Sequence, residues 1–257
     1  MKLQLKGIFA LWYRESKVFM REKSRVISSV INPLMWFFVV GGGIGSVVSI
    51  DGVNYQTFIY PGILIQAVLF SSVFFGVYII WDKREDFLKE VLVSPMSRTS
   101  IFLGKVVGGS TETIIQSIIL LAIGFTLTTL GLVQGLHIDA ISILISAAFL
   151  LMTTAGMVSI GLIIGSQMES PEGFNLVISF VIFPLFFLSG ALFPINNLPI
   201  WLAPFTFLDP ATYSVDGLRG VLLGTSTFPI ILDFAAITLF SIAAIIIGTQ
   251  AFKKMKV

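Results

Sequence analysis

An all-α, polytopic membrane fold with six transmembrane helices is the fold class this sequence predicts, and three observations predict it. Charged residues make up only 12% of the chain and hydrophobic ones 56%, where a soluble domain carries about a quarter charged. Six apolar windows reach the roughly 20 residues of helix that about 30 Å of hydrocarbon requires. Fifteen of the 16 Lys and Arg fall in three segments that six crossings place on one side.

Residues 1–25 precede the first window. Leu5, Ile8, Phe9, Trp12, Phe19 and Met20 recur at helical spacing, while Lys2, Lys6, Arg14, Lys17 and Arg21 mostly fall elsewhere. Such a basic amphipathic helix lies flat on an anionic leaflet, with Trp12 and Tyr13 at headgroup depth. It serves either as an anchor or as a lever on the first span. A cleaved secretory signal is not expected, because the apolar run that follows is too long for one.

The windows run Val26 to Ile50, Phe58 to Trp81, Val106 to Val133, Ile141 to Gly165, Phe174 to Phe193, and Pro229 to Ala251. Mean hydropathy over the chain is +0.97. Pro184 falls inside the fifth window, which is tolerable where neighbouring helices satisfy the freed backbone groups. Basic residues before the first window, between the second and third, and after the sixth make that side cytoplasmic, with both termini inside. The segment Ser166 to Gly173 carries Glu169 and Glu172 instead; Pro171 opens a helix and Glu172 sits in its first turn, where the macrodipole favours an anion.

The connection over 82–95 is expected to form a short cytoplasmic amphipathic helix. Phe87, Leu88, Val91 and Leu92 share one face, and Glu85 and Lys89 form an i,i+4 pair. Pro95 ends the helix, and Ser97 or Thr99 can cap the next. The apolar face either packs on the chain's own membrane domain or fills a partner's groove. On the opposite side, residues 194–224 are apolar yet too short to span. They read as two external re-entrant half-helices, the second capped by Asp209 and opened by Pro210. Asp216 and Arg219, at i,i+3, can pair there.

Catalytic chemistry is missing. There is no cysteine, which excludes disulfides and thiolate chemistry. Gly104-Lys105 is followed by Val106, with no preceding Gly-rich loop, so the chain has no P-loop to cradle ATP. The single histidine, His137, lies in a short external loop and leaves Ser189 without a base. No metal-ligand cluster exists, and a net charge of +2 does not point to nucleic acid. Glu112 stands out among ionisable residues near the apolar windows. It is either a functional intramembrane carboxylate, with Gln116 one turn further in, or a headgroup-level structural residue.

Two stretches carry a family resemblance. Phe87-Leu88-Lys89-Glu90-Val91-Leu92-Val93-Ser94-Pro95-Met96-Ser97-Arg98, with Leu103-Gly104-Lys105, resembles the coupling segment of ABC type-2 transporter permeases, the membrane subunits of drug, lipo-oligosaccharide and polysaccharide exporters. Phe183-Pro184-Leu185-Phe186-Phe187-Leu188-Ser189-Gly190-Ala191-Leu192-Phe193-Pro194, with Leu208-Asp209-Pro210-Ala211-Thr212-Tyr213 and Asp216-Gly217-Leu218-Arg219-Gly220, is similar to that family's C-terminal signature. The family commonly has Asn where Asp209 stands; both cap helices.

The resemblance implies one ABC type-2 transmembrane domain over 1–257, serving as the permease half of an ATP-driven exporter in a prokaryotic plasma membrane. A second permease subunit, identical or not, would complete the pathway. ATP and magnesium would be bound by separate nucleotide-binding ATPase subunits and no cofactor by this chain. Phe87, Leu88, Val91 and Leu92 would anchor the coupling helix in the ATPase groove, with Glu85, Lys89 and Glu90 at its rim. Glu112, Gln116, Pro184, Asp216 and Arg219 are candidate pathway or structural residues. A non-transporting membrane scaffold or sensor, or an ATP-independent carrier, is the alternative at this stage.

Overall fold

The computed structural model describes residues 4–50, 52–137 and 139–255, without the side chains of Lys89 and Leu92. Lys2 and Lys256 of the basic segments lie outside them. Helix α1 (Leu5–Arg21) turns Gly7, Leu11, Glu15 and Phe19 inward at every fourth position. Leu5, Phe9, Tyr13 and Met20 remain exposed on its other sides, the arrangement of a helix clasped by protein on one face and open to lipid on the rest.

The first span, Lys23–Gly45, is built from α2 (Lys23–Met35), a π-helical segment (Trp36–Gly41) and α3 (Gly42–Gly45). A two-residue hairpin, β1 (Ser49–Ile50) with β2 (Val53–Asn54), follows it. The second span, Tyr55–Arg84, is the most buried of the six. It comprises α4 (Tyr55–Phe74) and α5 (Val77–Arg84), offset at Phe75 and Gly76. There α8 (Ala140–Gln167) crosses with backbone touching backbone. A Cβ at Gly161 would meet the carbonyl of Val73, and one at Gly76 or Gly165 would meet the carbonyl of the facing glycine. Only glycine allows that approach.

The connecting helix is shorter than the sequence suggests. Asp82 still belongs to α5, the chain turns at Asp86 with φ +58°, and α6 covers only Phe87–Val93. The expected single helix from Asp82 to Leu92 is thus divided, which frees Asp82 to point into the bundle. Ser97 caps α7 (Arg98–Thr129), accepting from the Ser100 amide at 3.1 Å. This third span begins eight residues before its apolar window. Its first turns hold Arg98, Thr99, Ser100 and Lys105 among apolar residues and are sheltered by α1, and hydropathy alone does not register that shelter.

α9 (Pro171–Leu188) opens on Pro171 with Ser170 as its cap and Glu172 in its first turn. It keeps Pro184 within its last turns and stops before the apolar window does, at Ser189 and a left-handed Gly190. Short helices follow: a 3-10 turn (Ile195–Asn197), α10 (Ala203–Leu208) and α11 (Pro210–Leu223). Asp209 caps α11 through the Ala211 amide at 2.8 Å, and Gly224 closes it with φ +75°. α12 (Ile230–Lys254) is the last span and packs closely along α8.

The three basic segments meet at one end of this bundle. Gln4 donates through Nε2 to the Pro95 carbonyl at 2.8 Å and accepts from the Ser97 amide at 3.2 Å. Arg98 reaches the carbonyls of Lys253 at 2.9 Å and Met255 at 2.7 Å. An even number of crossings between each pair of segments is therefore built into the fold.

Candidate functional site: a buried ion network behind the short helix

α6 hangs from a compact core of its own. Leu88 is 0% exposed and Val91 9%, and they pack with Leu11 of α1, Ile79 of α5, Ile101 and Phe102 of α7 and Phe252 of α12. The face expected to fill a partner's groove therefore turns inward, because a two-turn helix beside an apolar bundle buries its greasiest side against the nearest apolar surface. Phe87 is half-buried, with the Arg14 guanidinium 3.8 Å above its ring centroid, a cation–π contact. Glu85, Glu90 and Val93 face outward, Val93 at 87% exposure. The expected roles of Lys89 and Leu92 fall on side chains outside the described ones.

Beneath this core lies a cluster of charges. Lys105 of α7 is fully buried. Its Nζ donates to Asp82 Oδ2 at 2.5 Å and to Glu15 Oε1 at 3.0 Å. Arg14 closes the set, donating to Glu15 at 2.8 Å and to Asp82 Oδ1 at 3.1 Å. Two cations face two carboxylates, so the group is neutral, and each buried charge has the partners that burial demands. Glycines make the geometry attainable. A Cβ on Gly104 would stand 2.9 Å from Leu11 Cβ, and one on Gly108 would stand 2.7 Å from Glu15 Cβ. Trp12 adds a bond from Nε1 to Thr111 Oγ1 at 2.9 Å. The amphipathic helix, the end of the second span, the short helix and the third span thus meet in one rigid junction.

Further along α7, Glu112 is buried and ion-paired with Arg25, which also lies 4.2 Å over the Tyr78 ring. Gln116 donates to the Ser29 carbonyl at 2.6 Å and accepts from the Ser71 hydroxyl. Both residues face the bundle interior and tie the first span to the second and third. Pro184 is exposed on α9. Asp216 and Arg219 are buried but take separate backbone partners. Asp216 accepts from the Thr227 and Phe228 amides at 2.8 Å each. Arg219 donates to the Gly190 carbonyl at 2.7 Å and lies 4.1 Å over Phe58. His137 is exposed in its loop.

The sequence places Arg14 and Lys105 among the basic residues that set orientation, Lys105 also in the family motif and position 82 at the start of the expected cytoplasmic helix, and does not single out Glu15. A signal was present: Lys105 interrupts the apolar run from Ile101 to Val107, and Glu15 shares the four-residue stripe of Gly7, Leu11 and Phe19. Joining the two requires knowing that α1 lies along α7.

Six apolar crossings, a flanking amphipathic helix and a short helix clamped beneath them define a multi-pass membrane protein of the permease type. The chain belongs to the ABC-2 type transporter family, whose model matches residues 6–223. It is a membrane subunit of an ABC transporter, not an ATPase. Among its relatives, Nodulation protein J of Rhizobium meliloti (strain 1021) is 25% identical over 232 residues, covering 89% of this chain and 86% of the relative. Inner membrane transport permease YadH of Escherichia coli (strain K12) is 27% identical over 252 residues, covering 95% and 93%. Putative transport permease ycf38 of Cyanophora paradoxa is 28% identical over 211 residues, covering 79% and 70%.

Proposed function

We propose that the chain is the permease of an ATP-driven exporter, working as a dimer with a second permease subunit and driven by separate ATPase subunits docked at the end that carries α6. The observation that carries this reading is the junction of α6 with the ion network. Its inward face is locked to α1, α5, α7 and α12, while Glu85, Glu90 and Val93 remain available to a partner. A push on that outward face would pass through Phe87 to Arg14, and from Arg14 to Glu15 and Asp82, without first compressing a soft contact. The ATPase would bind the nucleotide and magnesium; this chain would convert the docking force into tilting of the spans.

The basic end of the bundle would be cytoplasmic by the positive-inside rule, with both termini there, in a bacterial plasma membrane. Residues 194–224 would re-enter from the outer surface, α11 being satisfied internally as such a segment must be. The test is purification of the tagged chain from its native membrane in mild detergent. A stoichiometric ATPase subunit with magnesium-dependent hydrolysis supports the reading. Elution alone and inactive, under conditions that preserve other complexes, replaces it with a scaffold or an ATP-independent carrier.

A further inference from the structure

The first span is interrupted twice in close succession. Pro33 lies inside α2, and the π-helical segment Trp36–Gly41 begins within a turn of it. Proline has no N–H, so the Ser29 carbonyl, one turn earlier, loses its helical donor. The π segment then departs from the regular ladder a second time, and kinks gather at such places. In hydrocarbon a freed carbonyl needs a donor from elsewhere.

One residue supplies it. Gln116 Nε2 donates to the Ser29 carbonyl at 2.6 Å, and Gln116 Oε1 accepts from the Ser71 hydroxyl of α4. Glu112, one turn before Gln116, pairs with Arg25, one turn before Ser29. The two contacts are successive rungs between α2 and α7. No third polar rung follows, because the positions four further on are Pro33 and Leu120. Beyond the break the span is held by α4 instead. Gln56 Nε2 donates to the Phe37 carbonyl at 3.4 Å, and the Phe37 and Tyr60 rings meet edge to face with centroids 5.6 Å apart. Gly41 lies so near α4 that a Cβ would stand 2.9 Å from Ile59 Cδ1.

We propose that Pro33 to Trp36 form a hinge in the first span, and that Gln116 is a positioning residue that pins it. The inner half, Lys23 to Asn32, follows α7, which also carries Lys105 of the ion network. The outer half, from Phe37 onward, stays with α4. In the exporter reading, on which this functional part rests, a force on the network tilts the inner half and stops at the hinge. The hinge belongs to this chain alone, so its test needs no ATPase, and its failure leaves the exporter reading standing.

The chain has no cysteine, so paired spin labels can be placed without removing any. Ile27→Cys with Ile44→Cys brackets the hinge, and Val107→Cys with Phe125→Cys brackets unbroken helix in α7; all four positions are exposed. On straight helices both pairs would stand about 26 Å apart. Pulsed EPR on the purified chain in nanodiscs should give a broader distance distribution for the first pair than for the second. Pro33→Ala should narrow it and Gln116→Leu should broaden it further. A first pair as narrow as the second overturns the hinge. Thermal unfolding tests the pin separately. Gln116→Leu should lower the melting temperature by several degrees, but by less than half as much in a Pro33→Ala background, where the Ser29 carbonyl regains a helical donor. Gln116→Met serves if the Leu variant does not fold. Equal losses in both backgrounds would mean that Gln116 does not stand in for the missing N–H, and would overturn its role.

Discussion

The ammonium of Lys105 lies 2.5 Å from the carboxylate of Asp82 inside a membrane domain, and the two residues come from different spans. Asp82 lies in the last turn of α5 and Lys105 two turns into α7, with α6 strung between them. The pair closes the loop that carries α6, and Glu15 of α1 completes it from a third direction. This clasp leads to a first prediction.

Lys105→Met leaves Glu15 and Asp82 buried with one cation fewer. Breaking a buried pair from one side costs about 3–5 kcal/mol, so the variant should unfold at clearly lower temperature or denaturant in detergent. Adding Asp82→Leu leaves Arg14 and Glu15 as a balanced pair, 2.8 Å apart, and should recover more than half of the loss. Thermal unfolding of the wild type, both single variants and the double variant measures the coupling. Additive losses would show that the pair does not act as a unit.

The two faces of α6 should respond in opposite ways. Leu88→Asp puts a charge into the chain's own core, so it should reduce stability and yield before any partner is considered. Glu90→Lys and Val93→Asp alter exposed positions, where stability changes stay within about 0.5 kcal/mol. They should nevertheless weaken co-purification of the ATPase subunit. Pull-down yield set against melting temperature separates the two classes. Normal ATPase retention by both outer-face variants would remove α6 from the docking surface.

Gly161→Ala and Gly76→Ala should each destabilise the protein by roughly 1–3 kcal/mol, the usual cost of overpacking a tight contact. Their added methyls would press on backbone carbonyls of the facing helix, and a carbonyl cannot rotate away as a side chain can. Gly43→Ala is the control, since nothing stands near its missing Cβ. Thermal shift assays in one detergent suffice.

Asp209 provides a pH signature outside the spans. Burial pushes its carboxyl up to about 8, while the bond from the Ala211 amide pulls the other way. A carboxyl raised in the folded state favours folding when protonated. Its contribution is fully present below the ordinary value near 4 and is lost as pH climbs through about 8. Stability should therefore fall between pH 5 and pH 8.5 (about the interval between those two values). Asp209→Asn, which keeps a capping oxygen, should flatten the slope. Melting temperatures across that range in wild type and variant decide it.

Much of this was legible in the chain itself. Six spans follow from local composition, since each window must be apolar wherever its neighbours lie, and the three basic segments force an even crossing number. Asp209 and Pro171 read correctly as helix starts because capping is settled within four residues, and of the two caps offered for the third span, Ser97 and Thr99, the structure uses Ser97. The family resemblance likewise rested on contiguous motifs.

Other assignments depended on what lies across the bundle. Leu88 and Val91 form an apolar face that sequence could equally give to a partner; Leu11, Ile79 and Phe102, distant in the chain, claim it instead. Glu15, Asp82 and Lys105 stand 67 and 23 residues apart, and nothing in the sequence relates them. A charge's worth depends on distance and burial rather than on spacing, and only the docking of α1 against Gly104 and Gly108 creates both. Composition and periodicity determined that this chain enters a membrane six times, because solvation acts residue by residue. Which buried polar groups meet, and so where force can enter, was decided by the tertiary structure, because pairing requires two distant segments to arrive at one place.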